Sequence, residues 1–216
     1  MTRAALFDMD RTLVRKETAS LYVKYQRDVG EATALDMARV LVWVAEYTFG
    51  AIDIEDVARK VAAQLRGSSE AELEARCEDW FERYVERYVS QRARHTVARH
   101  QDRGHVVAIV TGASRYATRP LARRLGIEHI VTSEFEVDAG RFTGRMVDPI
   151  CYGGGKITRT RRLAEELGFS LEDAIFYSDS HTDLPLLEHV REAVCVNPDP
   201  KLARAAKARG WRVERW

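Results

Sequence analysis

The sequence has few of the residues that would place it in a specialised structural class. Its 216 residues include three cysteines, which lie far apart and form no paired motif. This spacing argues against a disulfide framework or a structural zinc site, so we expect reduced thiols and a cytoplasmic protein. No apolar run approaches the roughly 20 residues that span a bilayer. The most apolar internal stretch, residues 40–45 (V-L-V-W-V-A), is interpreted as the inner face of a buried helix.

Charge is nearly balanced along the whole chain. Lys and Arg total 34 against 33 Asp and Glu, which leaves a net charge of +1. This balance provides no electrostatic basis for binding a polyanion, so we expect neither a nucleic-acid nor a membrane partner. The 45% hydrophobic and 31% charged residues are typical of an ordinary soluble globular protein. Nothing in these features indicates an oligomeric state.

Short apolar runs alternate with helical patterns over most of the chain. The runs are typical of buried strands and lie at residues 4–7, 106–110, 129–131, 174–177 and 193–196. Helical patterns lie between them at residues 115–125, 156–167 and 184–190. This alternation predicts an α/β fold with a doubly wound, Rossmann-like parallel sheet. Residues 134–147 alternate around Ala139-Gly140, which predicts a β-hairpin appended to that sheet.

The interval from residue 15 to residue 100 has a different composition. It is rich in Ala, Glu, Arg and Leu at helical spacing and contains no convincing strand. A parallel crossover needs only about a dozen residues, so this segment is too long to be a simple connection. We therefore predict an α/β core formed by residues 1–14 and 101–216, with residues 15–100 inserted as a helical cap domain.

Polar residues follow several of the predicted strands. They are Asp8 and Asp10 after the first run, Thr111 and Gly112 after the second, Lys156 at the start of a helix, and Asp179 and Asp183 after the run at residues 174–177. Carboxyl ends of parallel strands meet at one edge of a sheet, where ligands bind in open α/β folds. We therefore expect these side chains to converge on one site.

This set of residues is suited to phosphoryl transfer. A carboxylate can act as a covalent nucleophile, and Asp8 stands directly at the strand end. A phosphate dianion beside Asp8, Asp10 and Asp179 would meet like charges that each cost about 4 kcal/mol at 4 Å and an effective dielectric of 20. Oxygen ligands of this kind favour Mg²⁺ as the neutralising cation. Lys156 would add a second positive charge, and Thr111 with its neighbouring backbone N–H groups could donate to phosphoryl oxygens. Asp10 is the candidate general acid and base.

The motifs resemble those of the haloacid dehalogenase superfamily of phosphohydrolases. The family signature D-x-D-x-T-x-V matches residues 8–14 (D-M-D-R-T-L-V), and the later motifs match Thr111, Lys156 and D-S-H-T-D at residues 179–183. The resemblance implies that Asp8 is the nucleophile and a metal ligand, and that Asp10 is the acid/base and binds Mg²⁺ through its backbone carbonyl. It also implies that Asp179 and Asp183 complete the metal site and that Thr111, Gly112 and Lys156 bind phosphate.

The inserted helices resemble the cap of the phosphoserine-phosphatase-like subfamily. In that subfamily a Glu seven residues after the second motif Asp contacts the substrate amine, and Glu17 stands at this spacing. Alternatively, Glu17 has no role in binding and is a negative charge at the start of a helix, where the helix dipole favours it. Arg11 replaces a residue that is often small, so it either contacts substrate or phosphate or points to solvent. The implied substrate is a small phosphorylated metabolite such as phosphoserine, with histidinol phosphate or another phosphomonoester as the alternative.

The chain also departs from the family pattern. Ser178 replaces the common Gly before the fourth motif, and Thr182 stands where phosphoserine phosphatases have Asn. Arg66 is the nearest candidate for the carboxylate-binding Arg of those enzymes. Two non-enzymatic alternatives share the fold, namely a receiver-type signalling domain and a catalytically idle phosphate-binding module. The receiver is disfavoured because no lone Asp follows residues 106–110.

Overall fold

A seven-stranded sheet forms the centre of the computed structural model, which describes residues 3–30 and 54–216. In chain order the strands are β1 (Ala4–Phe7), β2 (Val106–Ser114), β3 (His129–Asp138), β4 (Arg141–Val147), β5 (Ile175–Ser178), β6 (Glu192–Val196) and β7 (Arg212–Glu214). Their order across the sheet is β4-β3-β2-β1-β5-β6-β7. All neighbours are parallel except β3 and β4, which are antiparallel. This topology confirms the predicted α/β class. The helix predicted over residues 40–45 lies outside the described residues.

Strand β1 lies in the middle of the sheet and is buried on both faces. All four of its residues are fully buried. Ala5 and Phe7 contribute to one apolar cluster, whereas Ala4 and Leu6 contribute to the cluster on the opposite face. Because side chains alternate between faces along a strand, a continuous apolar run is what a sheet covered by helices on both sides requires.

Eight α-helices are present in the described residues. They are α1 (Thr18–Asp28), α2 (Ile54–Gln64), α3 (Glu70–Trp80), α4 (Gln91–Asp102), α5 (Arg115–Leu125), α6 (Gly154–Leu167), α7 (Leu184–Leu187) and α8 (Pro200–Arg209). Between α3 and α4 lie a π-helical turn at Phe81–Val85 and a 3₁₀ turn at Glu86–Tyr88. Among residues 3–30 and 54–216, none of the helices combines the length and the apolar character that crossing a membrane requires.

Helix α5 has the predicted bounds because both of its ends carry capping residues. The Ser114 hydroxyl accepts a hydrogen bond from the Ala117 N–H at 3.4 Å, and Gly126 adopts a left-handed φ of 64° at the other end. Helix α6 begins at Gly154, two residues before the predicted start. The sequence did not indicate this earlier start because a run of three glycines is also typical of a loop. Helix α7 ends at Leu187, three residues earlier than predicted.

The strands differ from the prediction most at β2 and β7, while β3 continues without a break into the hairpin and the bounds of β5 and β6 are shifted by one residue. Strand β2 continues to Ser114, so Thr111 and Gly112 lie within the strand rather than after it. The register with β3 is irregular between Val110 and Ser114, which shows that regular pairing ends where the apolar run ends. Strand β7 was not predicted, because its three polar-flanked residues form no apolar run.

The predicted hairpin is present as β3 and β4. Its turn residues Ala139 and Gly140 have φ values of 45° and 75°, the left-handed pair that a tight two-residue hairpin turn requires. The hairpin also contacts the inserted segment. The Gly67 N–H donates to the Phe142 carbonyl at 2.8 Å, and the Phe142 N–H donates to the Ser68 carbonyl at 3.1 Å. The loop between α2 and α3 is therefore bound to the hairpin by backbone hydrogen bonds.

A row of ion pairs joins α3 and the turn after it to α5. The acidic residues all precede α4 and the basic residues all lie on α5. The pairs are Glu70–Arg115, Glu74–Arg119, Glu78–Arg123 and Glu86–Arg124. We call this row the α3–α5 ladder.

The described helices of the insertion differ in what they pack against. Helix α4 leads directly into β2, and its Val97 belongs to the apolar cluster that contains Phe7 and Ile109. The division of the chain into a core of residues 1–14 and 101–216 and a cap of residues 15–100 stays a prediction. The packing of α4, which includes residue 100, nevertheless shows that this helix rests on the sheet.

Candidate active site

The neighbouring strands β1 and β5 bring two acidic residues to one edge of the sheet. Asp8 follows β1, and its N–H donates to the Tyr177 carbonyl of β5 at 2.8 Å. Asp179 follows the last residue of β5. The two residues are 7% and 6% exposed, respectively, so both carboxylates are largely removed from water. The parallel pairing of distant chain segments thus produces a buried pair of acids.

Lys156 reaches this edge from α6. Its Nζ lies 2.8 Å from Oδ1 of Asp8 and 2.7 Å from Oδ1 of Asp183, and the residue is 3% exposed. Burial alone would favour the neutral amine, but the carboxylates of Asp183 and Asp8 outweigh it and raise the pKa of Lys156. The lysine is therefore a fixed positive charge in contact with Asp8.

A close backbone contact sets the position of that lysine. A Cβ atom on Gly155 would lie 1.9 Å from the Ile150 carbonyl oxygen, a distance that no side chain can tolerate. Only glycine therefore allows the loop before α6 to approach the helix start this closely. The depth at which Lys156 enters the site depends on this approach.

Asp10 faces the start of α1. Its Oδ1 accepts a hydrogen bond from the Thr18 N–H at 3.0 Å, which satisfies one of the donors that a helix start leaves without a partner. Burial, with the nearby charge of Glu17, raises the pKa of Asp10 to about 7 in spite of that hydrogen bond. A carboxyl group with this pKa can both give and take a proton near neutral pH.

The site carries more negative than positive charge. Burial raises the pKa of Asp8 although Lys156 opposes the change. Burial, followed by the charges of Asp8 and Glu17, raises the pKa of Asp179 as well. Both shifts have one physical cause, which is that carboxylates held away from water lack sufficient compensating charge.

The oxygen atoms of the site are better suited to a magnesium ion that keeps some of its water than to a metal held entirely by protein side chains. Within residues 3–30 and 54–216, no three His, Cys, Asp or Glu side chains are arranged to hold a metal ion among themselves. Asp183 uses one oxygen for Lys156 and the other for Ser178, and Asp10 uses one for Thr18. The buried carboxylates of Asp8 and Asp179 could bind a cation. Magnesium is typically bound in this way, by one or two carboxylates with water and substrate phosphate.

Thr111 and Gly112 occupy the same edge of the sheet on β2, next to β1. Thr111 is buried, and its hydroxyl oxygen accepts a hydrogen bond from the Ala113 N–H at 3.3 Å. A Cβ atom on Gly112 would lie 3.4 Å from the Cys151 carbonyl oxygen, which shows that Gly112 lies against the loop before α6. The structure therefore places both residues beside the loop that leads to Lys156.

Arg11 and Glu17 lie on the solvent side of Asp179. The Nε of Arg11 is 3.6 Å from Oδ2 of Asp179, and its Nη1 is 3.8 Å from Oε1 of Glu17. Both side chains are about half exposed, at 49% and 52%. Arg11 has a left-handed φ of 52°, and its carbonyl accepts a hydrogen bond from the Asn197 side chain at 3.3 Å. The sequence left open whether Arg11 faces the site or solvent. In the structure its guanidinium is directed at Asp179 and Glu17.

Two contacts of the fourth motif were not predicted from the sequence. The Ser178 hydroxyl donates to Oδ2 of Asp183 at 2.7 Å, although the sequence singled out Ser178 only as a departure from the usual Gly. Asp199 accepts a hydrogen bond at 2.8 Å from the backbone N–H of His181, and its Oδ2 lies 2.8 Å from Nδ1 of the same residue. The signal for Asp199 was its position before Pro200, which is typical of a helix N-cap.

Comparisons with known proteins agree with this geometry. The family model of the haloacid dehalogenase-like hydrolases matches residues 5–188. Phosphoserine phosphatase SerB1 of Mycobacterium tuberculosis is 34% identical over 217 residues, which cover 99% of this chain and 70% of that protein. A histidinol-phosphatase of Neisseria meningitidis is 31% identical over 218 residues, covering 99% of this chain and 98% of the relative. A crystal structure of a Bordetella pertussis protein of unknown function superposes with a TM-score of 0.90 at 31% identity, covering 99% of this chain and 98% of the other.

These matches extend over nearly the whole chain and include all of the residues that converge at the sheet edge. The predicted resemblance is thereby confirmed. The chain belongs to the haloacid dehalogenase-like hydrolases and is a phosphatase of the phosphoric monoester hydrolase class.

Proposed function

We propose that this phosphatase hydrolyses small phosphorylated metabolites in the cytoplasm through an aspartyl-phosphate formed on Asp8. The observation that carries the proposal is the buried contact of 2.8 Å between Lys156 and Asp8. A carboxylate held in this position beside a permanent cation is suited to receive a phosphoryl group, because the cation offsets the negative charge of the incoming phosphate.

The reaction has two steps. In the first, an oxygen of Asp8 attacks phosphorus, the bond between phosphorus and the ester oxygen breaks, and Asp10 gives its proton to the leaving alcohol. In the second, Asp10 takes a proton from a water molecule that attacks the phosphoryl group, and inorganic phosphate leaves while the Asp8 carboxylate is restored. The pKa of about 7 at Asp10 supports both directions of proton transfer.

The residues around Asp8 bind and orient the transferred group. Lys156 holds Oδ1 of Asp8, and Thr111 and Gly112 provide donors and room for the phosphoryl oxygens on the neighbouring strand. Asp8, Asp179 and the Asp10 carbonyl would hold Mg²⁺, with Asp183 in contact with Lys156 beside them. Bound there, Mg²⁺ would supply positive charge to the phosphate and to the developing negative charge of the reaction.

Glu17 and Arg11 are proposed to choose the substrate. The relatives are named for phosphoserine and histidinol phosphate, two compounds that share a primary amine beside the phosphate ester. Glu17 is a suitable partner for that amine. Arg11 would add a partner for a carboxylate, which phosphoserine has and histidinol phosphate lacks. Phosphoserine is therefore our first candidate and histidinol phosphate the second.

The proposal is tested with p-nitrophenyl phosphate as a general phosphomonoester. We expect release of nitrophenol that requires Mg²⁺, and no turnover in the Asp8→Asn variant, whose size and Lys156 contact match those of the wild type. Circular dichroism is the control that checks whether the variant is folded. Absence of metal-dependent turnover from about pH 5 to about pH 9 would favour the idle phosphate-binding module.

The substrate is tested with a panel that contains phosphoserine and histidinol phosphate. If phosphoserine is preferred, Arg11→Ala should raise its KM much more than the KM for histidinol phosphate. Equal effects on both compounds would assign Arg11 to phosphate or to Asp179 instead of the substrate carboxylate.

A further inference from the structure

Ser178 begins a continuous chain of hydrogen bonds that ends on Asp8. The residue is the last of β5 and is fully buried. Its hydroxyl donates to Oδ2 of Asp183 at 2.7 Å and accepts from the Ser180 N–H at 3.2 Å. This hydroxyl thus donates one hydrogen bond and accepts another, both with residues of the fourth motif.

Asp183 passes this constraint to Lys156. The second carboxylate oxygen of Asp183, Oδ1, lies 2.7 Å from Lys156 Nζ. The same Nζ lies 2.8 Å from Oδ1 of Asp8. Each of these residues is at most 7% exposed, so water cannot readily replace any of the bonds.

The chain of bonds has a mechanical effect. The terminal torsion of an aspartate is broad, and a lysine side chain has many rotamers, so neither is fixed by its own preferences. Anchoring Oδ2 of Asp183 sets the direction of Oδ1, which in turn sets Lys156. Lys156 then holds Oδ1 of Asp8, while Oδ2 of Asp8 stays outside the chain of bonds. A glycine at residue 178, the residue common before the fourth motif in the family that the sequence resembles, would supply no such anchor.

We propose that Ser178 is a positioning residue for phosphoryl transfer and that it acts on Asp8 through Asp183 and Lys156. The proposal rests on the proposed function of Asp8. It also assigns Asp183 to the lysine rather than to the cation, because both of its carboxylate oxygens are already engaged. Loss of the Ser178 hydroxyl should therefore change how fast bound substrate reacts and should leave binding of substrate and Mg²⁺ nearly unchanged.

The first experiment measures p-nitrophenyl phosphate hydrolysis by Ser178→Ala and Ser178→Thr. We expect kcat of the Ala variant to fall about tenfold, the effect of one misdirected hydrogen bond, with KM within about twofold of the wild type. The Thr variant keeps the hydroxyl and should recover most of the loss. Ser90→Ala is the matched control, since it removes a buried hydroxyl that caps α4 and contacts none of the catalytic groups.

The second experiment is a double-mutant cycle, which remains decisive if the Thr variant folds poorly. In an Asp183→Asn background, Ser178→Ala should cause no further loss of kcat, because the bond on which it acts is already altered. Isothermal titration of the Ala variant with Mg²⁺ should give a dissociation constant within about twofold of the wild-type value. A role in overall stability alone would instead give additive losses.

The outcomes separate the two proposals. If the wild type is active, three results would each overturn the role of Ser178 and leave the proposed function intact. They are an unchanged kcat in Ser178→Ala, additive losses in the double-mutant cycle, and a large loss of Mg²⁺ affinity. A wild-type protein without metal-dependent turnover overturns the proposed function and the role of Ser178 with it.

Discussion

Replacing Asp10 with Asn should inactivate the enzyme and stabilise its metal-free form. Asn has the shape of Asp and keeps an oxygen that can accept the hydrogen bond from the Thr18 N–H. It lacks the charge whose burial raises the pKa of Asp10 from 3.8 to about 7. A raised pKa means that the folded protein disfavours the ionised carboxylate, so wild-type stability falls as pH rises from about 4 to about 7. The Asn variant has no such loss.

The magnitude follows from the pKa change. A rise from 3.8 to about 7 corresponds to about 4 kcal/mol above pH 7, at 1.36 kcal/mol for each tenfold change in proton affinity. Because Asp10 is half-buried and keeps some contact with water, we expect about half of this value, or about 2 kcal/mol. The gain of the variant over wild type should be small near pH 4, grow up to pH 7 and stay constant above it.

Urea unfolding of both proteins in the presence of EDTA, from about pH 4 to about pH 8, measures this difference. Asp28→Asn is the matched control, because the hydrogen bond from Tyr84 lowers the pKa of Asp28 and the same substitution should there reduce stability at neutral pH. If Asp10→Asn were no more stable than wild type at pH 8, the charge of Asp10 would not be unfavourable and its pKa near neutrality would be refuted.

Three further predictions concern other charged groups. Lys156→Met should lower kcat on the order of 10²–10³-fold in steady-state assays, as for loss of a buried group that stabilises developing charge. Burial lowers the pKa of His100 from 6.5 to about 4, so wild-type stability should fall as pH drops from 6.5 towards 4. His100→Phe should reduce this dependence in urea unfolding at each pH, and the part that comes from His105, whose pKa burial also lowers, should remain. In the α3–α5 ladder, a double-mutant cycle with Glu74→Gln and Arg119→Gln should give about 0.2–1 kcal/mol of coupling that disappears in about 1 M NaCl.

Features of the fold that depend on local sequence were predictable. The four apolar residues of β1 are typical of a strand covered on both faces, and the helical pattern of α5 ended at Gly126. The hairpin was visible because Ala139-Gly140 interrupts an alternating pattern. Strand β7 could not be predicted, since its place at the sheet edge depends on pairing with β6 and not on its own apolar character.

The candidate site was predictable as a set of residues but not as a set of contacts. A parallel sheet predicts that Asp8 and Asp179 lie at the same edge, and the structure places them directly after two neighbouring strands. Which oxygen of Asp183 faces Ser178 and which faces Lys156 depends on side-chain torsions that only the packed site defines. The direction of Asp10 towards Thr18 likewise depends on where α1 begins after folding.

The backbone bonds between the α2–α3 loop and the β3–β4 hairpin affect how this protein could be re-engineered. Gly67 and Phe142 are 75 residues apart in the chain, yet the Gly67 N–H donates to the Phe142 carbonyl and the Phe142 N–H donates to the Ser68 carbonyl. A chimaera that takes its helical insertion from one relative and its hairpin from another would break this match. For recombination between relatives, the two segments therefore form a single exchangeable module, although the chain encodes them separately.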